Sequence, residues 1–140
     1  MTGSFEVLLP YTAYLALLLR VWVGVNFVAH GYPKVSKGRK QTLQWTKNLG
    51  VPAGATYAAI ILEFFGGLSL IIGFLVPIVS FFIALEMIGA SILKKSKMKG
   101  SYITAQNPVA YELDITYLLL AIALVVLGAG MLSIDSLIGF

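Results

Sequence analysis

Three ionisable side chains stand inside otherwise apolar runs of this 140-residue sequence, namely Arg20, Glu63 and Glu86. A charged side chain near the centre of a bilayer costs about 2.5–3.5 kcal/mol on insertion scales, so it normally faces a partner or a polar cavity. Counting at about 1.5 Å per helical residue places all three charges close to one plane. We therefore expect an Arg20–Glu63 ion pair at the centre of a polar intramembrane pocket, with Glu86 beside it as a third candidate catalytic group.

This arrangement contains one carboxyl group more than the arginine can neutralise. Two glutamates that face one arginine in a low dielectric should not both be ionised. We therefore expect Glu86, or alternatively Glu63, to hold a proton in the resting protein. A purely architectural alternative stays open, in which Arg20 and Glu63 only lock the helices together, because buried ion pairs can have that role.

A second polar group falls at the expected edge of the membrane. Its members are His30, Lys34, Asn107, Tyr111, Glu112 and Asp114. A histidine near carboxylates at an interface could relay protons between water and a deeper site, or these side chains could simply meet water and lipid headgroups. The sequence has no cysteine and no metal-ligand spacing, catalytic triad or phosphate loop, so we expect no metal and no covalent cofactor.

The composition is that of an integral membrane protein with a single domain over residues 1–140. Hydrophobic residues make up 59% of the chain and charged residues 11%, and the mean hydropathy is +0.90. The net charge of +4 comes mainly from two clusters, Lys34–Lys47 and Lys94–Lys99, which flank apolar runs. Such clusters are typical of loops on the cytoplasmic side of a cell membrane, and they do not form a groove for nucleic acid.

The apolar runs predict four membrane-spanning helices, at about residues 8–29, 53–75, 77–93 and 111–128. Gly31 and Pro33 should end the first helix, and a turn at Gly73–Pro77 should separate the second from the third. The basic connector 35–51 could form an amphipathic helix in the headgroup layer, although a solvated loop fits equally well. The apolar tail 132–140 should rest at the interface.

The expected fold is therefore all-α: an antiparallel four-transmembrane-helix bundle with both basic loops in the cytoplasm and both termini outside. Small residues follow each intramembrane charge at helical spacing. They are Gly24 after Arg20, Gly66 and Gly67 after Glu63, and Gly89 and Ala90 after Glu86. Because small residues allow helices to approach closely in lipid, the charged faces should also be the packing faces.

Several motifs spread over nearly the full length resemble the DoxX family of small four-span membrane proteins. They are Arg20…Gly24…Phe27…His30-Gly31…Lys34, Leu49-Gly50-Val51-Pro52, Glu63-Phe-Phe-Gly66-Gly67…Gly73, Asn107…Tyr111-Glu112, and Gly128-Ala-Gly130-Met-Leu-Ser-Ile-Asp135. The chain departs from the family pattern at Ala110, at Met131 and at Glu86, where the family usually has an apolar residue. The family resemblance therefore assigns no role to Glu86.

The resemblance implies a membrane subunit of a quinone-linked oxidoreductase, with thiosulfate:quinone chemistry as the best-known example. In that interpretation Arg20 polarises a quinone carbonyl and Glu63 or Glu86 exchanges a proton. His30, together with Glu112 or Asp114, would connect this site to the cytoplasm. Further redox subunits or a second copy of the chain would be its partners, besides the lipid bilayer and quinone.

Two other classes of function are compatible with the same residues. The chain could be a non-catalytic membrane anchor or assembly subunit of a larger respiratory or redox complex, since its Gly-rich faces suit helix packing equally well. A proton or small-molecule pathway fits less well, because four helices enclose little volume unless they oligomerise.

Overall fold

The computed structural model describes residues 6–105 and 107–140 as a helical protein. Within these ranges there is no β-strand, only an isolated bridge between Ser101 and Ala110, so the all-α prediction is confirmed. After a 3₁₀ turn at Leu9–Tyr11, the helices are α1 (Thr12–Val35), α2 (Arg39–Asn48), α3 (Ala53–Ile61), α4 (Gly67–Ile72), α5 (Val76–Ser96), α6 (Glu112–Leu127) and α7 (Ile134–Ile138). A π-helical segment, Leu62–Gly66, joins α3 to α4 without a break.

In the described part of the chain, three helical segments are long and apolar enough to cross a membrane. They are Leu9–Val35, Ala53–Ile72 and Val76–Ser96. Helix α6 has 16 residues, fewer than the roughly 20 that a straight crossing needs. Large apolar side chains such as Leu18 and Val126 point outward, 68% and 81% exposed, as expected for helices that face lipid. The chain is a multi-pass membrane protein whose helices contact the bilayer.

The apolar core lies between four of these helices. Val23 on α1, Leu70 on α4, Ile83 on α5 and Leu124 on α6 are each fully buried and pack in one cluster. Helix α6 packs most closely against α5 and also contacts α1. The core therefore joins all the long helices, and the polar sites lie on either side of it.

Helix α1 continues to Val35 with Pro33 inside it, so the prediction that Gly31 and Pro33 end the helix is wrong. Gly31 lies against the π-helical segment, where an added Cβ would be 2.6 Å from the amide nitrogen of Phe64. This close packing holds the chain in its helical path. Pro33 falls in the last turn, where the missing N–H removes only one hydrogen bond.

The connection between α4 and α5 lies where the sequence predicts a turn. Gly73 ends α4 in the left-handed conformation (φ 74°), and Leu75 is also left-handed (φ 50°). Pro77 occupies the first turn of α5, where its fixed φ suits a helix start.

Close helix packing through glycine is confirmed for two of the three charged faces. The Cβ positions of Gly24 and Gly67 would lie 2.6 and 2.8 Å from each other's backbone oxygens, so α1 and the second long helix touch there. Gly89 has open space at its Cβ position. The face of α5 that carries Glu86 is therefore not a packing face, contrary to the prediction.

The basic connector contains the ten-residue helix α2. The Thr56 hydroxyl of α3 donates a hydrogen bond to the Thr46 hydroxyl of α2 at 2.7 Å, so the connector is tied to the second long helix. Its predicted position in the headgroup layer stays a prediction.

Candidate functional site

The guanidinium of Arg20 is 1% exposed and binds backbone carbonyls instead of a glutamate. Nε donates to Ala129 O at 3.1 Å, and Nη1 donates to Leu70 O at 3.0 Å and to Ile71 O at 2.7 Å. Nη2 donates to the carbonyl of Leu132. The predicted Arg20–Glu63 pair is therefore wrong, and Arg20 does not line the cavity beside Glu63.

The predicted depth of Arg20 was wrong because α1 is longer than the sequence suggested. Arg20 lies fifteen residues before the end of α1 at Val35, roughly 22 Å along the helix axis. Glu63 lies ten residues after the start of α3 at Ala53, roughly 15 Å along that helix. The arginine consequently reaches the end of α4, and Glu63 faces the end of α1.

Arg20 belongs to a cluster that joins the C-terminal segment to the α4–α5 turn. The Asp135 carboxylate accepts the N–H of Leu75 at 2.6 Å and the N–H of Val76 at 2.9 Å, and so it caps the N-terminus of α5. The Asp135 amide donates to Gly73 O at 2.9 Å. We name this set of four residues the arginine cluster: Arg20, Gly73, Ser133 and Asp135.

Asp135 was predicted to rest at the interface in an apolar tail, yet it is 3% exposed. The sequence could have indicated this burial, because Asp135 is a single acid within an apolar segment. A charge in apolar surroundings normally faces a partner, and this holds for Asp135 as it does for Arg20.

At the other end of the molecule, Glu63 binds Lys34. Lys34 Nζ lies 2.6 Å from both carboxylate oxygens of Glu63. Glu63 is part of the π-helical segment Leu62–Gly66, and single π turns inside α-helices are frequent at functional sites.

Glu86 faces this pair from α5. Its side chain lines the same cavity as the Glu63 side chain. Its Oε2 atom is buried and has no hydrogen-bond partner among the described residues. The two acids thus share one cavity, with Lys34 in the place expected for Arg20. That one of them holds a proton stays a prediction.

A cavity of about 610 Å³ extends from these acids toward the end of the helices that carries the basic loops. Its polar lining consists of His30, Lys34, Thr42, Thr46, Thr56, Glu63, Glu86, Lys94 and Asp114. The remaining wall is mostly apolar and includes Phe27, Trp45, Met87 and Tyr117. We name this space the acidic cavity. Apolar walls with a few convergent polar groups are typical of small-molecule sites.

A second ion pair lies in the wall of the acidic cavity. Lys94 Nζ donates to Asp114 Oδ1 at 3.0 Å and lies 2.8 Å from Oδ2. Lys94 was interpreted only as a topology signal. It follows Glu86 by eight residues, two helical turns on the same face, and this spacing could have placed it in the site.

Tyr117 is a further residue of the cavity wall that the sequence analysis missed. Its ring packs edge-to-face on Phe27, with ring centroids 5.5 Å apart. It follows Asp114 by three residues and so shares its helix face. This spacing could have indicated that Tyr117 lies near Asp114 in the site.

The structure divides the predicted relay residues into two groups. His30, Lys34 and Asp114 line the acidic cavity, and His30 is exposed at its rim. Tyr111 and Glu112 do not line it. The Tyr111 ring packs on Tyr102 at 5.7 Å, and Glu112 accepts a hydrogen bond from the Thr104 hydroxyl.

Asn107 also lies apart from the cavity. Its side-chain oxygen accepts the N–H of Val109 at 2.9 Å, so it stabilises the local loop. Within residues 6–105 and 107–140, no group of three or more His, Asp or Glu side chains is placed to hold a metal ion.

Comparison with known proteins supports the resemblance noted in the sequence. The sequence model of the DoxX family matches residues 15–95, which include both Arg20 and Glu63. The chain belongs to the DoxX family. It is 33% identical over 119 residues to the protein named "Putative oxidoreductase CatD" of Bacillus subtilis (strain 168), covering 85% of this chain and 83% of that relative.

A second relative is "Inner membrane protein YqjF" of Escherichia coli (strain K12). It is 30% identical over 126 residues, which cover 87% of this chain and 90% of the relative. The comparison with solved structures finds no match. Both relatives are matched over most of the chain.

Proposed function

We propose that this DoxX protein is a membrane subunit of a quinone-linked oxidoreductase and that the acidic cavity binds the quinone ring. The observation that carries the proposal is the Oε2 atom of Glu86, which is buried without a hydrogen-bond partner among the described residues and belongs to a side chain that lines a largely apolar cavity. A buried polar atom without a partner is costly, and a ligand that hydrogen-bonds it would remove that cost.

The cavity offers both kinds of polar contact that a quinone needs. A lysine ammonium has three N–H donors, so Lys34 can bind Glu63 and still donate to a quinone carbonyl. A protonated Glu86 can donate to the same ring. Reduction of a quinone consumes two electrons, which the electron donor supplies, and two protons. In this proposal the Glu63–Glu86 pair passes both protons to the quinone in turn and regains each one through the rim of the cavity.

Protons would reach this pair through the rim of the cavity. His30 is exposed and lines the same space as Glu63 and Asp114. An imidazole can accept a proton on one ring nitrogen and donate one from the other, so it can pass protons in either direction. This route keeps the predicted relay role for His30, Lys34 and Asp114, and it leaves Tyr111 and Glu112 outside the proposed path.

The electron donor we propose is a sulfur compound of the thiosulfate type, which acts directly or through a partner redox subunit. The sequence has no cysteine and one histidine, so haem or iron–sulfur ligation would need another chain. The relative named as an oxidoreductase is consistent with this class of reaction.

For the membrane arrangement we propose an antiparallel four-helix bundle in which α6 is the fourth crossing. The loop after α6 and helix α7 complete that crossing, because Asp135 reaches the start of α5 and Lys94 at the end of α5 reaches Asp114 at the start of α6. The positive-inside rule then places both basic loops in the cytoplasm and both termini outside, with residues 1–140 as one domain. Residues 1–5 of that N-terminus lie outside the described part of the chain.

The test is quinone binding by purified protein in detergent. Trp22 and Trp45 are the two tryptophans of the chain, so Trp22→Phe leaves Trp45, in the cavity wall, as a single fluorescence probe that a bound quinone quenches. We expect a benzoquinone without a side chain to quench it. Glu86→Leu should weaken that binding about tenfold, the loss of roughly one hydrogen bond.

Ser80→Ala is the matched control for Glu86→Leu. Ser80 lies on the same helix and also has a buried polar atom without a partner among the described residues, but it does not line the acidic cavity. Equal effects of the two substitutions on quinone affinity, or no quenching in any variant, would contradict the proposal.

The second candidate function is a non-catalytic anchor or assembly subunit, and the outer surface favours it. Leu119 and Val126 on α6 are 62% and 81% exposed, which leaves an apolar face free for lipid or a neighbouring membrane helix. Reduction of quinone by thiosulfate only in the presence of co-purified subunits would support a subunit that contributes the quinone site. If the protein neither binds quinone nor supports its reduction under these conditions, the anchor function is favoured.

A further inference from the structure

The acidic cavity lies between two helices that scarcely touch. Among the described residues, α3 and α5 make little contact with each other, and both contribute to the cavity wall. Each helix contributes two small residues to the cavity wall: Ala55 and Ala59 on α3, and Gly89 and Ala90 on α5. We name this opening the α3–α5 gap.

The gap lies within membrane-spanning segments. Helix α3 belongs to the span Ala53–Ile72, and Gly89 is inside the span Val76–Ser96. Gly89 is exposed, and a Cβ at that position would have no heavy atom within 4 Å. An opening at this depth leads to lipid rather than only to water.

Polarity is distributed unevenly between the cavity and the gap. Along α5, Glu86 with the Glu63–Lys34 pair precedes Gly89, and the Lys94–Asp114 pair follows it. The four small residues of the gap carry no polar side chain. Gly89 and Ala90 follow Glu86 by three and four residues and so share its helix face. A ligand whose ring contacts Glu86 would therefore have its apolar substituent beside Gly89.

We infer that the α3–α5 gap is a lateral portal that holds the isoprenoid chain of a membrane quinone, with Gly89 as the residue that admits this chain. The inference rests on the proposed quinone site. It adds that the protein also binds the isoprenoid chain of the quinone and not only its ring. A cavity of about 610 Å³ is within the range of sites that enclose a drug-sized ligand. A polyisoprenoid chain is longer than such a site, so it must leave the cavity, and the gap is an apolar exit.

The test compares two glycines with open space at their Cβ positions. Gly89 lines the cavity, whereas Gly54 on α3 has equally open surroundings and does not line it. Phenylalanine is a better helix former than glycine, so Gly89→Phe and Gly54→Phe should both fold. Each variant is made in the Trp22→Phe background with Trp45 as the fluorescence probe.

Two quinones with the same ring are titrated into each variant, one without a side chain and one with a decyl chain. The measured quantity is the ratio of their Kd values, because detergent partitioning of the decyl compound affects all variants alike. Gly89→Phe should reduce the preference for the decyl compound about tenfold, since apolar surface of the chain loses its contact. Gly54→Phe should leave the ratio unchanged.

The outcomes separate this inference from the proposed function. If both quinones bind and Gly89→Phe leaves the ratio as in Gly54→Phe, the portal is wrong and the ring site stands. If Gly89→Phe weakens both quinones equally, the chain does not use the gap, which also overturns the portal. If neither quinone quenches Trp45 in any variant, the quinone site fails and the portal fails with it.

Discussion

The two ends of this protein differ in whether the chain itself satisfies the hydrogen bonds of a buried ionisable side chain. In the arginine cluster, Arg20 donates to four backbone carbonyls, and a Cβ on Gly73 would lie 2.9 Å from its Cζ, so no space is left for a ligand. In the acidic cavity, Glu86 Oε2 has no protein partner among the described residues, and about 610 Å³ of space lies beside it.

This difference shows that a charge inside a membrane helix does not by itself indicate a functional site. Arg20 has its hydrogen bonds satisfied by the chain, as an architectural group would. The hydrogen-bonding capacity of Glu86 is not satisfied by the described residues, as is typical of a group that binds a ligand or transfers a proton. We therefore expect substitutions in the arginine cluster to act on stability and substitutions in the acidic cavity to act on ligand chemistry.

The largest stability loss is expected for Arg20→Met. It removes the donors of four hydrogen bonds, two of them buried and two partly buried, and should lower the free energy of unfolding by about 3–5 kcal/mol. Helical content followed by circular dichroism during SDS titration measures the effect. Arg39→Met at the exposed start of α2 is the control, with a change within about 0.5 kcal/mol. A stable Arg20→Met protein that no longer binds quinone would reverse the comparison.

Gly73→Ala should cause the second-largest loss of stability. Gly73 and Gly139 both end helices in the left-handed conformation with φ 74°. A Cβ on Gly73 would lie 2.5 Å from Ser133 Cβ, whereas one on Gly139 meets nothing within 4 Å. Gly139→Ala should cost about 1 kcal/mol, the backbone contribution alone, and Gly73→Ala about 2–4 kcal/mol. Equal melting temperatures of the two variants would show that the cluster is loosely packed.

The Lys34–Glu63 pair should contribute less than the arginine cluster. Lys34 is 34% exposed and Glu63 12%, so water screens part of their attraction. A double-mutant cycle with Lys34→Met and Glu63→Gln should give a coupling energy of about 1 kcal/mol. The SDS titration used for Arg20 measures it. A coupling near that of a fully buried pair would indicate that the acidic cavity also has an architectural role.

Glu86→Gln should have the smallest effect on stability and a large effect on chemistry. The amide keeps a hydrogen-bond donor of nearly the same size, so unfolding should change by less than about 0.5 kcal/mol and ring affinity by less than about threefold. The amide cannot release a proton, so quinone reduction in membranes with partner subunits present should fall by a factor of about 10²–10⁴. Ser80→Ala serves again as the control. Unchanged reduction would remove Glu86 from the proposed mechanism.

The sequence alone predicted which residues matter more reliably than it predicted how they pair. Arg20, Glu63 and Glu86 were each recognised as charges that need a partner, and the glycines near Arg20 and Glu63 were recognised as packing residues. The error lay in the end of α1. Gly31 and Pro33 are helix breakers by local preference, but Gly31 packs on the backbone at Phe64, and this contact keeps the helix intact.

By itself, the sequence determined the apolar spans, the turn at Gly73 and the presence of buried charges, because these depend on local hydropathy and backbone preference. Only the tertiary structure decided that Lys34 pairs with Glu63, that Asp135 caps α5 and that Lys94 joins the acidic cavity. Such contacts depend on the register between helices. That register is set by packing between residues far apart in the chain, which no local pattern contains.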